Sequence, residues 1–287
     1  MGFTIRQIRQ IAEDIWDLEA KRVDLLKFCG DKLRELKPNI SDLEIADDID
    51  SIVSRVRHQV EKKIESFPEK GIPPNFEFDD CLPNMLRRCG SDKNNWIRKY
   101  LTQIKRAIKV INPISFEYFC KHILECNGIV SSVTQRSRDG GVDFYGLLEM
   151  HNYAQTVFLR SVKLRIIGQA KRYSGNKKVG EAGIDEIRTK YSDFKARHGR
   201  AFEILPDWFK ESNYPVILMV VTTTGFTTDA EKSAARDNII LRDGDQITED
   251  IIHSPKVEEW LEPDRLGDKK FSRDLFLESF DKCRELH

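Results

Sequence analysis

The run at residues 215–222 constrains the fold of this chain more than any other segment. It reads Pro-Val-Ile-Leu-Met-Val-Val-Thr, with six successive apolar side chains. A strand with one solvated face alternates apolar and polar residues, whereas a strand covered on both faces is apolar throughout. We therefore predict a strand buried between two layers, which requires a sheet with helices on both sides.

The segments around this run supply further helices and strands. Asn112-Pro113 predicts a capped helix over 113–127, and Gly128 is suited to its C-terminal end. The predicted strands cover 129–134, 141–148, 156–162, 164–172 and 239–241, and the predicted helices cover 180–198, 227–236, 245–252, 255–261 and 272–285. This order predicts the α/β class, with a mixed β-sheet flanked by helices.

The N-terminal third has a different pattern. Apolar residues at three- and four-residue spacing predict one amphipathic helix over 4–36, and a capping-box sequence at Ser41 predicts a second helix that ends near Phe67. Together they predict an all-α helical hairpin region. The Pro-rich segment 68–90 is interpreted as a linker, and a helix is predicted at about 92–110. The predicted domains are an N-terminal hairpin at 1–67, a linker at 68–90, a main domain at 91–265 and a C-terminal helix at 266–287.

The charge distribution indicates a partner of negative charge. The chain has 47 basic and 47 acidic residues, yet residues 91–200 hold 21 basic and 10 acidic side chains. The flanking segments 1–90 and 201–287 carry net charges of −3 and −8. A basic centre is typical of a surface that faces a polyanion, although solvated helix faces give the same pattern.

Composition and cysteine spacing exclude several classes of protein. No apolar run approaches the ~18 residues of a membrane span, and the first residues lack the apolar core of a signal peptide. We therefore expect a soluble cytoplasmic protein with reduced thiols. Cys120, His122 and Cys126 invite a zinc site, but their offsets do not share one helix face well, so we expect no zinc there.

Three segments carry residues suited to phosphodiester chemistry. Asp143 follows a Gly-Gly pair at the start of a predicted strand, Gln169 and Lys171 share one face of a later strand, and Glu117 lies on the preceding helix. Mg²⁺ prefers oxygen ligands. Asp143, the Gln169 side-chain carbonyl, the Ala170 backbone carbonyl and, through water, Glu117 are therefore the candidate metal ligands.

Lys171 supplies a positive charge for the scissile phosphate or the attacking water. Each residue also has a plain structural interpretation. Asp143 is suited to a turn, Glu117 to the first turn of a helix, and Lys171 to the end of a strand. His122 and His198 have no predicted position near the acids and are interpreted as structural.

The order of these motifs resembles the Mrr-like branch of the restriction endonuclease, or PD-(D/E)xK nuclease, superfamily over about residues 112–252. The resemblance is carried by Phe116-Glu117, Asp139-Gly140-Gly141-Val142-Asp143 and Gln169-Ala170-Lys171-Arg172-Tyr173, followed by the segments 221–227 and 240–244. It implies a restriction-endonuclease-like fold, a divalent metal (Mg²⁺, with Mn²⁺ as a substitute), and catalytic roles for Asp143, Gln169, Lys171 and Glu117. Compared with the family, the hairpin between Asp143 and Gln169 is long and residues 202–213 look inserted.

The predicted function is that of a Mg²⁺-dependent endonuclease that cleaves DNA, acts as a homodimer, and serves in restriction or anti-phage defence. The N-terminal hairpin is expected to act in specificity, regulation or dimerisation. Candidate phosphate contacts are Arg136, Arg172, Lys177 and Lys178. Two alternatives remain open: a nucleic-acid-binding module that has lost cleavage, suggested by the neutral Gln169, and an effector nuclease held inactive until a signal or partner acts on the N-terminal region.

Overall fold

The computed structural model describes residues 4–16, 18, 20–70, 72–74, 76–89, 100–134, 142–152, 160–175, 177–263 and 269–285. The chain forms two compact units, Met1–Thr102 and Gln103–His287. No helix in these described ranges is long and apolar enough to cross a membrane.

The first unit contains three helices and a small antiparallel sheet. The helices are α1 (Ile5–Trp16), α2 (Leu25–Leu36) and α3 (Asp42–Glu69), and the strands are β1 (Arg22–Asp24), β2 (Phe76–Phe78) and β3 (Met85–Arg88). β3 lies in the middle of the sheet and pairs with both β1 and β2. The region is therefore mostly helical but not all-α as predicted.

The prediction of one helix over 4–36 was wrong. The Asp24 side chain accepts hydrogen bonds from the backbone N–H groups of Leu26 and Lys27, so it starts a new helix directly after β1. The interpretation of 68–90 as a linker was also wrong, because β2 and β3 belong to the sheet of this unit. Trp16 packs edge-on against Phe67 and Phe76, which joins α1, α3 and β2 in one core.

The second unit contains the predicted mixed sheet. Its strands are β4 (Val130–Val133), β5 (Phe144–Glu149), β6 (Lys163–Lys171), β7 (Val216–Thr222) and β8 (Ile240–Arg242), in the order β4-β5-β6-β7-β8. β4, β5 and β6 pair antiparallel, and β6, β7 and β8 pair parallel. β7 is the apolar run at 215–222, and its last five residues are buried. The α/β prediction with a flanked mixed sheet is confirmed.

The helices of the second unit lie close to their predicted positions. They are α4 (Leu101–Val110), α5 (Pro113–Cys126), α6 (Glu181–Lys195), α7 (Gly199–Glu203), α8 (Asp207–Glu211), α9 (Thr228–Arg236), α10 (Gly244–Ile252) and α11 (Arg273–Glu285). α7 and α8 fill the segment 202–213 that looked inserted. Gly128 has a φ of 66° after α5, the left-handed conformation expected of a residue that follows a helix.

Three predicted segments of this unit differ from the structure or lie partly outside the described residues. The predicted helix at 255–261 is a short 3₁₀ turn at Val257–Trp260, followed by the strands β9 (Leu261–Pro263) and β10 (Lys269–Phe271). Trp260 is fully buried against Phe276, which holds the segment in a single turn. In the predicted strand at 156–162, residues 156–159 lie outside the described residues, and Arg160 is helical. In the predicted helix at 92–110, residues 92–99 also lie outside them.

One close approach in the sheet positions the site. Phe144 of β5 lies opposite Gly168 of β6, and a Cβ atom on Gly168 would come within 2.0 Å of the Phe144 ring. The missing side chain at 168 gives the ring its place. Asp143 and Gln169, each next to one member of this pair, are thereby brought to the same end of the two strands.

Candidate active site

Asp143 is fixed against β6 by two hydrogen bonds. Its backbone N–H donates to the Gly168 carbonyl at 3.0 Å, and its Oδ2 accepts from the Ala170 backbone N–H at 2.7 Å. Burial raises the pKa of Asp143 to about 6, although the Ala170 N–H and the Lys171 charge both act to lower it. The carboxyl group is therefore held in place by the backbone and is costly to ionise without a cation beside it.

Gln169 points from β6 to the same sheet face as Lys171. Its side chain is 2% exposed, and Nε2 donates to Oε1 of Glu186 at 2.5 Å. The other end of the amide, Oε1, is buried and accepts no hydrogen bond from the described part of the chain. A buried carbonyl oxygen without a donor is uncommon, because the desolvation cost is not repaid.

Lys171 forms an ion pair with the same glutamate. Its Nζ lies 2.5 Å from Oε2 of Glu186, so the two oxygens of Glu186 accept from Gln169 and Lys171, the first and third residues of Gln169-Ala170-Lys171. Glu186 lies on α6, between Ile184 and Ile187, which are fully buried. The sequence analysis missed it. The available signal was its place beside the buried face of the first helix after β6, which does not distinguish it from other helix acids.

Glu117 lies on α5 and is half-buried. The buried thiol of Cys120 interacts electrostatically with both Glu117 and Asp143. Burial raises the pKa of the Cys120 thiol well above its usual range, and the charges of Asp143 and Glu117 raise it further. Both carboxylates therefore lie near this buried thiol. A contact of Glu117 with a metal through water stays a prediction.

The backbone after β6 is held by three threonines at the end of β7. Thr222 donates to the Lys171 carbonyl at 2.8 Å, Thr223 to the Tyr173 carbonyl at 3.0 Å, and Thr224 to the Lys177 carbonyl at 2.7 Å. These bonds fix the segment that follows the Gln169-Ala170-Lys171 strand.

The candidate phosphate contacts differ in their surroundings. Lys177 and Lys178 are exposed in the threonine-held segment, and Lys177 Nζ lies 4.7 Å from the centre of the Tyr173 ring. Arg172 is half-buried and donates to the Lys109 carbonyl at 3.3 Å, which gives it a structural contact. Arg136 lies outside the described residues.

His122 and His198 contact residues other than Asp143, Gln169 and Lys171. His122 Nε2 is 2.7 Å from the Ser254 hydroxyl and 3.5 Å from Cys126 Sγ, and burial lowers the pKa of His122. His198 is exposed beside Asp193. Within the described ranges, no group of three or more His, Cys, Asp or Glu side chains is arranged to hold a metal ion.

The oxygen atoms at the end of β5 and β6 nevertheless fit a hard cation with few protein ligands. Mg²⁺ is commonly held by one or two carboxylates together with waters and substrate oxygens. Asp143 uses one oxygen for Ala170, and its Oδ1 accepts no hydrogen bond from the described part of the chain. Gln169 Oε1 is a second such oxygen. A bound cation would give Asp143 Oδ1 and Gln169 Oε1 a partner and would offset the negative charge of the Asp143 carboxylate.

Comparison with known protein families bears on the segment that carries these residues. Residues 108–201 match the Mrr_cat family model, described as a restriction endonuclease. The matched segment contains Glu117, Asp143, Gln169 and Lys171, and also Glu186. It confirms the resemblance inferred from the motifs. A search of curated proteins found no match.

Several solved structures match this chain at low similarity. MspJI restriction endonuclease in complex with a 27-mer oligonucleotide matches with 16% identity and a TM-score of 0.41, over 70% of this chain and 41% of that one. Restriction endonuclease FokI matches with 10% identity and a TM-score of 0.37, over 88% and 45% of the two chains. FokI bound to DNA gives 11% identity and a TM-score of 0.36, over 86% and 44%. The chain thus spans less than half the length of these proteins.

Proposed function

We propose that this chain, in which residues 108–201 are an Mrr-type restriction endonuclease domain, hydrolyses phosphodiester bonds in DNA with Mg²⁺, for which Mn²⁺ substitutes. The observation that carries the proposal is the convergence of Asp143, Gln169 and Lys171 at one end of β5 and β6. A half-buried carboxylate, a buried carbonyl oxygen that accepts no hydrogen bond from the described residues, and an ammonium group lie at this end of the two strands.

Each residue has a distinct role in this reaction. Asp143 and the Gln169 side chain would hold the cation, with the Ala170 carbonyl and a water held by Glu117 as further oxygens. When bound, the cation neutralises charge that develops on the phosphoryl oxygens and lowers the pKa of a coordinated water. Lys171 places its positive charge beside the attacked phosphate or the attacking water. A new P–O bond forms to the water oxygen as the P–O bond to the leaving strand breaks.

Cleavage of both strands of a duplex normally needs two such sites, and each chain supplies one. We therefore propose a homodimer, and gel filtration with light scattering at working concentration would show it as a species of twice the chain mass. A monomer during double-strand cleavage would contradict this. A role in restriction or anti-phage defence rests on the kind of enzyme alone.

The deciding experiment is plasmid cleavage with Mg²⁺, with Mn²⁺ and with EDTA. Wild-type protein should nick or linearise the plasmid only with a divalent metal. Asp143→Asn and Lys171→Ala should abolish cleavage and keep the fold by circular dichroism. Asp207→Asn is the control, because its carboxylate is exposed on α8, where it pairs with Lys210 of the same helix.

One rival function has support in the sequence. The amide at Gln169 is a poorer Mg²⁺ ligand than a carboxylate, which favours a module that binds nucleic acid without cutting it. Binding of DNA with no cleavage under any metal would support that function or the effector nuclease held inactive, and would contradict a constitutively active nuclease. Metal-dependent cleavage that is lost in Asp143→Asn would contradict the rival.

A further inference from the structure

Glu186 accepts a hydrogen bond from both Gln169 and Lys171 of the Gln169-Ala170-Lys171 segment, and no motif assigned it a role. Oε1 accepts from Gln169 Nε2 and Oε2 accepts from Lys171 Nζ, both at 2.5 Å. Building on the proposed nuclease function, we propose that Glu186 is a positioning residue: it turns the Gln169 amide so that its carbonyl oxygen faces the metal position, and it anchors Lys171.

The donors and acceptors of these side chains require this orientation. An ionised carboxylate only accepts hydrogen bonds, and a primary amide has one donor end and one acceptor end. Because Glu186 offers no proton, Gln169 must present its NH₂ group to α6. Its Oε1 is then left at the other end, where it is buried and accepts no hydrogen bond from the described residues. A rotation of the amide by half a turn would put two acceptors together.

The charge of Glu186 also reaches the metal position. It is among the groups that raise the pKa of Asp143. The strand position of Gln169, where the commoner nuclease motif has a glutamate, carries no charge here. Glu186, which lies on helix α6 instead of the strand, places a negative charge one hydrogen bond away from Gln169.

A plain surface ion pair is the competing explanation. The Glu186 side chain is 43% exposed, and exposed pairs such as Lys171–Glu186 usually contribute little to stability. However, a plain ion pair would not involve Gln169. This residue is 2% exposed, and its NH₂ group, which is its side chain's one donor group, donates to Glu186. The two explanations differ in whether Glu186 and Gln169 depend on each other.

Exchange of the acid and the amide tests that dependence. In Gln169→Glu/Glu186→Gln, the amide at 186 can donate to the carboxylate at 169 and accept from Lys171, so every hydrogen bond is kept. In Glu186→Gln alone, an amide must meet both an NH₂ group and an ammonium group with a single acceptor oxygen. Satisfying Lys171 then requires Gln169 to turn its NH₂ group toward the metal position. In Gln169→Glu alone, two carboxylates face each other without a proton.

The measurement is Mn²⁺ affinity by calorimetry on the four full-length proteins without DNA, followed by kcat and KM for cleavage. Glu186→Gln should weaken Mn²⁺ binding about 10- to 100-fold in the wild-type background, the usual cost of removing a partner that orients a ligand. When residue 169 is glutamate, Glu186→Gln should leave Mn²⁺ affinity unchanged or increase it. Cleavage by Glu186→Gln should be slower, with a larger change in kcat than in KM.

Glu181→Gln is the matched control, since Glu181 is on the same helix and contacts Ser233 and Arg236 instead of the site. It should bind Mn²⁺ and cleave as wild type does. The proposal is overturned if Glu186→Gln binds Mn²⁺ and cleaves like wild type, or if it costs the same in both backgrounds. Either result leaves the nuclease function standing as long as the wild type binds Mn²⁺ and cleaves. A wild type that does neither overturns both proposals.

Discussion

Oδ2 of Asp143 accepts a 2.7 Å hydrogen bond from the backbone N–H of Ala170, across the two strands that carry the candidate site. This bond holds the carboxyl group in place but does not offset its burial, because the pKa of Asp143 is raised to about 6. Ionised Asp143 therefore destabilises the folded metal-free protein, and a bound cation would remove this electrostatic penalty. Two predictions follow from that cost.

Asp143→Asn should make the metal-free protein more stable at neutral pH. The folded-state pKa of about 6 lies above the ordinary value of 3.8, so folding favours the protonated carboxyl group. The protonated Asp143 carboxyl group stabilises the fold fully below about pH 4, and this stabilisation is lost as the pH rises through about 6. At pH 7 the variant should gain up to about 3 kcal/mol in the free energy of unfolding. Urea unfolding with EDTA at pH 4, 5, 6 and 7 measures this, and a gain independent of pH would contradict it.

Metal binding should release a proton near pH 6. A ligand carboxylate must be deprotonated to bind, so Mn²⁺ affinity should rise about tenfold per pH unit below 6 and level off above it. Calorimetry in two buffers of different ionisation enthalpy would count the proton. Asp143→Asn should bind weakly and without this pH dependence. Proton release that persists in Asp143→Asn would assign it to another group.

The residues that follow strand periodicity were predictable, and those placed by packing were not. Gln169 and Lys171 share a face because side chains in a strand repeat every two residues, and the buried run at 215–222 identified β7 by composition alone. Glu186 reaches the site because Ile184 and Ile187 bury the helix beside it, a relation with no fixed spacing to Lys171. The three-residue strands β1 and β2 are too short to show alternation.

Gly168→Ala should destabilise the second unit and reduce cleavage. The new Cβ atom would lie 2.0 Å from the Phe144 ring, which is fully buried and has no space to move. Overpacking of this kind costs about 1–3 kcal/mol, and the displaced strands carry Asp143 and Gln169. Thermal and urea unfolding measure the loss. Gly180→Ala is the control, because its Cβ would meet nothing within 4 Å. Phe144→Leu in the Gly168→Ala background should recover part of the stability, and no recovery would contradict the steric cause.

Thr223→Val should loosen the segment after β6 while the sheet stays intact. The Thr223 hydroxyl is 1% exposed, donates to the Tyr173 carbonyl at 3.0 Å and accepts from the Tyr173 N–H at 3.2 Å. Valine keeps the shape but leaves both backbone groups without a partner, so we expect a loss of about 1–3 kcal/mol. Thr189→Val is the control, since that hydroxyl is exposed and bonds within its own helix. An equal effect of the two changes would contradict a specific role for Thr223.

Lys177→Ala and Lys178→Ala should weaken DNA binding without loss of stability. Both lysines are exposed in the segment that Thr222, Thr223 and Thr224 fix next to Lys171. If each contacts one phosphate, its removal should lower the slope of log K against log salt concentration by about 0.9. Fluorescence anisotropy with a short duplex in Ca²⁺ at four salt concentrations measures that slope, and Lys232→Ala on α9 serves as the control. A slope equal to that of wild type in both variants would remove these lysines from the DNA interface and leave Lys171 as the cationic contact that the site provides.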